Sequence, residues 1–200
     1  MIKKPALFLS ACAALALSAG APRSVMPDIR SGEKYVSEGN YFKCVLPKGW
    51  RRVDPMGSSA AEKKIYGVDV TGPAGAEEVA PSISVKYYAR GNTLFKSAEQ
   101  FVRMNSRPIP GLGLAGDKYS SVTAIAISGR SGVKFERRSS DFAKPRQVEN
   151  KKIPVFERYI VLPAREGFYV LDYYCVFSEA KARLPAFEGV VKSFVPMIKQ

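Results

Sequence analysis

The stretch Phe168–Phe177, FYVLDYYCVF, constrains this chain more than any other. Its aromatic and β-branched side chains surround one charge, Asp172. A run of that length and composition reads as a strand buried on both faces, at the centre of a sheet. A second strand of similar character, Val155–Leu162, precedes it across the turn-rich break Pro163-Ala164-Arg165-Glu166-Gly167. Downstream, Leu184, Phe187, Val191 and Phe194 recur at spacings of three and four, one apolar stripe of a helix laid back on that hairpin. Proline is tolerated only near a helix start, so Pro185 places the start of the regular helix beside itself, with Ser178–Arg183 as a looser approach.

Upstream, Phe42, Cys44 and Leu46 alternate with Tyr41, Lys43 and Val45, a half-buried strand. Pro47-Lys48-Gly49 turns the chain, and Trp50, the only tryptophan, follows as a core anchor. Ile65–Val70 and Ser82–Arg90 read as further strands. Ser97-Ala98-Glu99-Gln100 is a capping box ahead of Phe101, Val102 and Met104, so a helix runs to about Ser106 before Pro108 and Pro110. Tyr119–Ser128 and Gly132–Arg138 form a strand pair around Gly129-Arg130-Ser131-Gly132. The fold class is α+β, a mainly antiparallel β-sheet flanked by helices.

Residues 1–20 read as an export signal. Lys3 and Lys4 precede an apolar run, Ala6–Leu17, too short to span a bilayer, and small residues follow for cleavage after Ala19 or Gly20. The alternative is a lipoprotein: Leu9-Ser10-Ala11-Cys12 resembles a lipobox that would lipidate Cys12. The apolar run continues past Cys12, which favours soluble export. Residues 21–40 are polar, with scattered Pro and Gly, and read as a flexible leader. Residues 41–197 form a single domain. The expected location is periplasmic or secreted, or membrane-anchored through Cys12 in the alternative.

Charge is the unusual part of the composition. Lys and Arg number 31 against 18 Asp and Glu, a net +13 with a pI near 9.7. A positive field of that size favours an anionic envelope component or an acidic protein face, with peripheral membrane contact. Export argues against nucleic acid. Histidine is absent, which removes the usual general base near neutral pH and the commonest metal ligand.

Gly111–Gly116 matches G-x-G-x-x-G, but prolines precede it and strand-like residues follow, where a dinucleotide site needs a strand and then a helix. It reads as a loop, and no cofactor is implied. Glu77-Glu78 lies in another loop, and neighbouring carboxylates point apart on an extended chain. With Cys12 removed, Cys44 and Cys175 remain, either bridged in an oxidising compartment or held as two separate buried thiols.

The most basic local segment runs from Arg137 to Lys152 and holds Arg137, Arg138, Lys144, Arg146, Lys151 and Lys152. It reads as a long polar loop, the candidate patch for an anionic partner. The function expected is a non-enzymatic binding or assembly factor of the bacterial envelope. The rival is a small envelope enzyme using carboxylates or a Ser/Lys pair, with Asp141, Glu149 and Asp172 as its acids. Asp172 stands out, because a lone acid in a buried strand has a raised pKa unless paired.

Three segments, Phe42–Trp50 (FKCVLPKGW), Ser97–Met104 (SAEQFVRM) and Phe187–Phe194 (FEGVVKSF), together resemble the PsbP-like family, which includes bacterial DcrB-type exported proteins. The resemblance implies an α/β/α sandwich over Tyr41–Val195 and an adaptor or assembly role. Histidine metal sites of plant members have no counterpart here.

Overall fold

The structure is a computed structural model that describes residues 32–53, 60–75, 79–108, 116–142 and 151–199. Its elements run β1 (Glu33–Val36), a 3-10 turn (Glu38–Asn40), β2 (Phe42–Leu46), β3 (Arg51–Val53), α1 (Ala60–Lys63), β4 (Ile65–Thr71) and β5 (Ser82–Ala89). Then come α2 (Ala98–Asn105), β6 (Lys118–Tyr119), β7 (Thr123–Ile127), β8 (Arg130–Phe142), β9 (Lys152–Ala164), β10 (Gly167–Val176), α3 (Phe177–Ser193) and β11 (Val195–Pro196).

β10 is the middle strand of an antiparallel sheet ordered β3-β4-β5-β10-β9-β8-β6, with β7 also paired to β8. Its two-sided apolar pattern is what that position requires. Tyr169, Leu171, Tyr173 and Cys175 face a large core that also holds Phe42, Cys44 and Leu46 of β2, and Phe187 and Val190 of α3. Phe168 and Val170 face a smaller core closed by Ala98 and Phe101 of α2. A second sheet, β1-β2-β11, joins α3 on the large-core side. The layers are α3 with the small sheet, then the large sheet, then α2.

Rings dominate the large core. Tyr41 stacks on Tyr87 at 4.4 Å, Tyr87 meets Tyr169 at 5.0 Å, and Tyr169 meets Phe194 edge-on at 5.4 Å. Each buried hydroxyl finds a backbone partner: Tyr87 donates to Glu166 O at 2.7 Å, Tyr169 to Tyr41 O at 2.9 Å and Tyr173 to Ala180 O at 3.1 Å. The rings therefore give the core their area without leaving a polar atom unpaired.

Several expectations are corrected. The fold includes Glu33–Val36, upstream of Tyr41: β1 pairs antiparallel with β2, and Ser37 Oγ accepts from the amides of Tyr41 (2.9 Å) and Phe42 (3.1 Å). An edge strand held by backbone bonds carries little apolar signal, which is why it resembled a leader. The final helix starts at Phe177, well before Pro185. Arg183 pairs with Glu179 one turn apart, and Tyr173 bonds Ala180 O, so contacts specific to this fold hold the turns before the proline. The strand expected over Tyr119–Ser128 divides into β6 and β7, where Ser120 bonds Glu136 through both its amide and its hydroxyl. The β7–β8 turn is tighter than expected, with Ser128 (φ 50°) and Gly129 (φ 76°) between the paired Ile127 and Arg130.

Candidate functional site

The basic loop is not one loop. β8 runs on through Arg137 and Arg138 to Phe142, and β9 begins at Lys152. Arg137 lies opposite Glu157 in the ladder and is ion-paired to it. Arg138 is exposed and lies over the Phe177 ring at 4.6 Å. Lys151 and Lys152 are exposed at the start of β9. Lys144 and Arg146 lie outside the described residues, as do Glu149, Cys12, the expected export signal, Glu77-Glu78 and most of the glycine motif. Cys44 and Cys175 are unbridged and buried, one in β2 and one in β10, the separate-thiol arrangement of the two the sequence left open. Burial pushes the Cys44 thiol up to about 12 and also raises that of Cys175.

The sheet face that carries α2 divides in two. Under the helix it is apolar: Tyr88 stacks flat on Phe168 at 4.8 Å, Phe135 stacks on Tyr159 at 4.9 Å, and Ala98 and Phe101 close over them. The capping residue acts as expected, but the return bond reaches the amide one residue before the N-cap. Ser97 Oγ accepts from Gln100 N at 3.2 Å, and Gln100 Oε1 reaches back to Lys96 N at 2.6 Å.

Further along the strands the same face turns polar. Register aligns Asp69, Ser84, Asp172 and Tyr159 in one row across β4, β5, β10 and β9, with Tyr174, Glu157 and Arg137 in the next. Glu157 is buried and fully engaged. Arg137 Nη2 donates to its Oε1 at 2.7 Å and Arg137 Nε to its Oε2, and the Tyr159 hydroxyl adds a bond at 2.7 Å. Asp69 is paired with Lys86, and Asp141 accepts from the Tyr174 hydroxyl at 2.7 Å. Asp172 has no such partner: its Oδ1 is shut away from solvent and takes no hydrogen bond among the described residues. Burial, and then the charge of Glu157, raise its carboxyl well above the usual range, and Arg137 offsets this only in part. Among the described residues no salt bridge to Asp172 is formed, and Lys86 of the neighbouring strand is paired with Asp69.

On the flank of α2 a groove of about 580 Å3 separates the helix from β8 and β9. Ala98, Val102, Gly132, Val133, Val161 and Pro163 line it with apolar surface, its floor, and Glu99, Arg103, Ser106, Arg107 and Ser131 supply its polar side chains. A smaller cavity of about 270 Å3 shares Ala98, Glu99 and Pro163 and brings in Arg90, Lys96 and Arg165 around the first turn of the helix. Neither is lined by Asp172 or Glu157. Sequence reasoning passed over Arg103 and Arg107. Their four-residue spacing, beside Val102 on a capped helix, was the available signal.

No family model matches the chain, and no curated protein does. Solved structures do match. LpqN, involved in cell envelope biogenesis of Mycobacterium tuberculosis, is similar at TM-score 0.47 and 14% identity over 77% of this chain and 82% of that one. A Bacteroides thetaiotaomicron protein is similar at TM-score 0.47 and 12% identity over 83% of this chain, which spans 48% of that protein's length. The solution structure of cyanobacterial PsbP from Synechocystis, of the family the sequence motifs resemble, is similar at TM-score 0.49 and 16% identity over 89% and 98% of the two chains. Among the described residues no helix is long and apolar enough to cross a membrane.

Proposed function

We propose that this chain is an exported, non-enzymatic binding or assembly factor of the bacterial envelope that meets an anionic partner through its basic surface. The observation that carries the reading is the groove beside α2, apolar along its floor and rimmed by Arg103 and Arg107, in a chain of net charge +13. Lys3, Lys4 and the apolar run after them support export, and Cys12 is the residue a lipid anchor would use. Arg138, Lys151 and Lys152, with Lys144 and Arg146 between them in sequence, offer a second place of contact.

Co-sedimentation with vesicles, with and without anionic phospholipid, tests the reading. Binding is expected on anionic vesicles alone and falls steeply with salt, because screening shortens to about 10 Å at 0.1 M and about 3 Å at 1 M. Replacing Lys144, Arg146, Lys151 and Lys152 with Ser is expected to weaken it. Binding indifferent to salt and lipid charge would defeat the proposal. A carboxylate enzyme remains a second reading, favoured by one observation: Asp172 is perturbed by Glu157 on the same sheet face. It predicts an activity lost in Asp172→Asn; a substrate screen that finds none sinks it.

A further inference from the structure

We infer that the groove beside α2 binds a single-chain anionic amphiphile, its hydrocarbon tail along the apolar floor and its acid group on Arg103 and Arg107. This rests on the function just proposed and names the ligand class for it. The groove volume, about 580 Å3, lies within the roughly 300–1,000 Å3 of small-molecule sites. Val102, Val133, Val161 and Pro163 present no side-chain donor or acceptor, so a polar ligand body there would lose its hydrogen bonds to water without replacement. Hydrocarbon loses nothing. The floor also widens beyond the groove: Ala124 and Ala126 of β7 pair with Val133 and Ser131 and are exposed.

Charge sets the direction of the ligand. Glu99 stands in the first turn of α2, where hydrogen bonds from the Ser97 side chain and the backbone hold its carboxyl below the usual range. Arg103 stands in the last turn, about 6 Å further along the axis, and Arg107 follows just past the helix. Arg103 and Arg107 hold the acid headgroup at their end of the groove, and Glu99 is the one carboxylate among the groove's lining residues. A bilayer surface would need the arginines but no groove; a monomeric amphiphile needs both.

Calorimetric titration of the full chain with octanoate, decanoate, dodecanoate and tetradecanoate, below micelle-forming concentrations, tests this, with dodecanol as the uncharged control. Affinity is expected to rise about three- to fourfold per methylene until the groove is filled. Dodecanol is expected to bind several-fold more weakly than dodecanoate. Arg103→Ser with Arg107→Ser, both exposed and so neutral to folding, should bring dodecanoate down to the dodecanol affinity. Val102→Gln should weaken every member, with its melt checked against the parent and Val133→Gln as the second floor variant. Affinity independent of chain length overturns the inference, as does dodecanol binding equal to dodecanoate. If vesicle binding stays salt-dependent in either case, the anionic-partner reading survives without the groove; if it also vanishes, both fall.

Discussion

Arg137 and Glu157 face each other across the β8–β9 ladder, the guanidinium forked onto a carboxylate whose side chain is only 8% exposed. Tyr159 donates to the same carboxylate, and Ser139 Oγ lies 3.4 Å from it. The arrangement commits one half-buried cation of the basic segment to an internal carboxylate. It also leaves Asp172, on the same face, beside a negative charge that is already answered elsewhere.

Removing Arg137 is therefore expected to cost far more than removing its neighbour. Arg137→Ala strands the buried Glu157 charge and should lower stability by about 2–4 kcal/mol. Arg138→Ala, which loses an exposed contact over Phe177, should cost under about 1 kcal/mol. Urea unfolding of both variants decides it; equal losses would mean the Arg137 pair is solvated.

Asp172 makes stability depend on pH. Its folded carboxyl titrates above the unfolded value of about 4, so the folded chain holds the extra proton. Its contribution is fully present below about pH 4 and is lost as pH rises through the folded value. Asp172→Asn, which has no proton to lose, should be more stable than the parent at pH 7, with the gap closing as pH falls towards 4. Urea midpoints across that range measure it. A gap that does not change with pH would show an ionised, satisfied Asp172 among Glu157, Arg137, Asp69, Tyr88 and Tyr159.

The two core thiols should be silent in the native protein. With the Cys44 thiol pushed up to about 12, only about one molecule in ten thousand carries its thiolate at pH 8. In a Cys12→Ser background, a chromogenic thiol reagent should react with both cysteines in denaturant and hardly at all without it. Loss of both free thiols in denaturant, restored by reductant, would instead reveal a Cys44–Cys175 bridge.

Two glycines separate backbone strain from crowding. Gly167 opens β10 at φ +147°, and a Cβ there would lie 2.1 Å from Tyr88 O. Gly167→Ala should cost about 2–4 kcal/mol, because backbone and neighbouring strand must both move. Gly129, at φ +76° with nothing near its missing Cβ, should cost only about 1–2 kcal/mol as Ala. Similar thermal melts for the two variants would mean that β5 gives way freely.

Apolar spacing in the sequence was enough to place β10 and β9, to bury Trp50, and to turn Phe187 and Leu184 of α3 toward the sheet. Ser97 capped α2 as its place in the sequence required. These are local signals: a period of two or 3.6 residues records which side of an element meets the core, and a cap needs only its own turn. What the chain could not announce was pairing between distant residues. Nothing near Arg137 in sequence distinguishes it from Arg138, yet register sets one against Glu157 and leaves the other in solvent. Lys86 met Asp69 by the same cross-strand geometry, and β1 found its place through backbone pairing with β2 and the packing of Tyr35 on Phe42. The groove belongs to this second kind, since Arg103 and Val133 meet only when α2 lies across the sheet. Periodicity is written residue by residue, whereas register and packing arise between segments far apart in the chain, and only the folded structure brings those segments together.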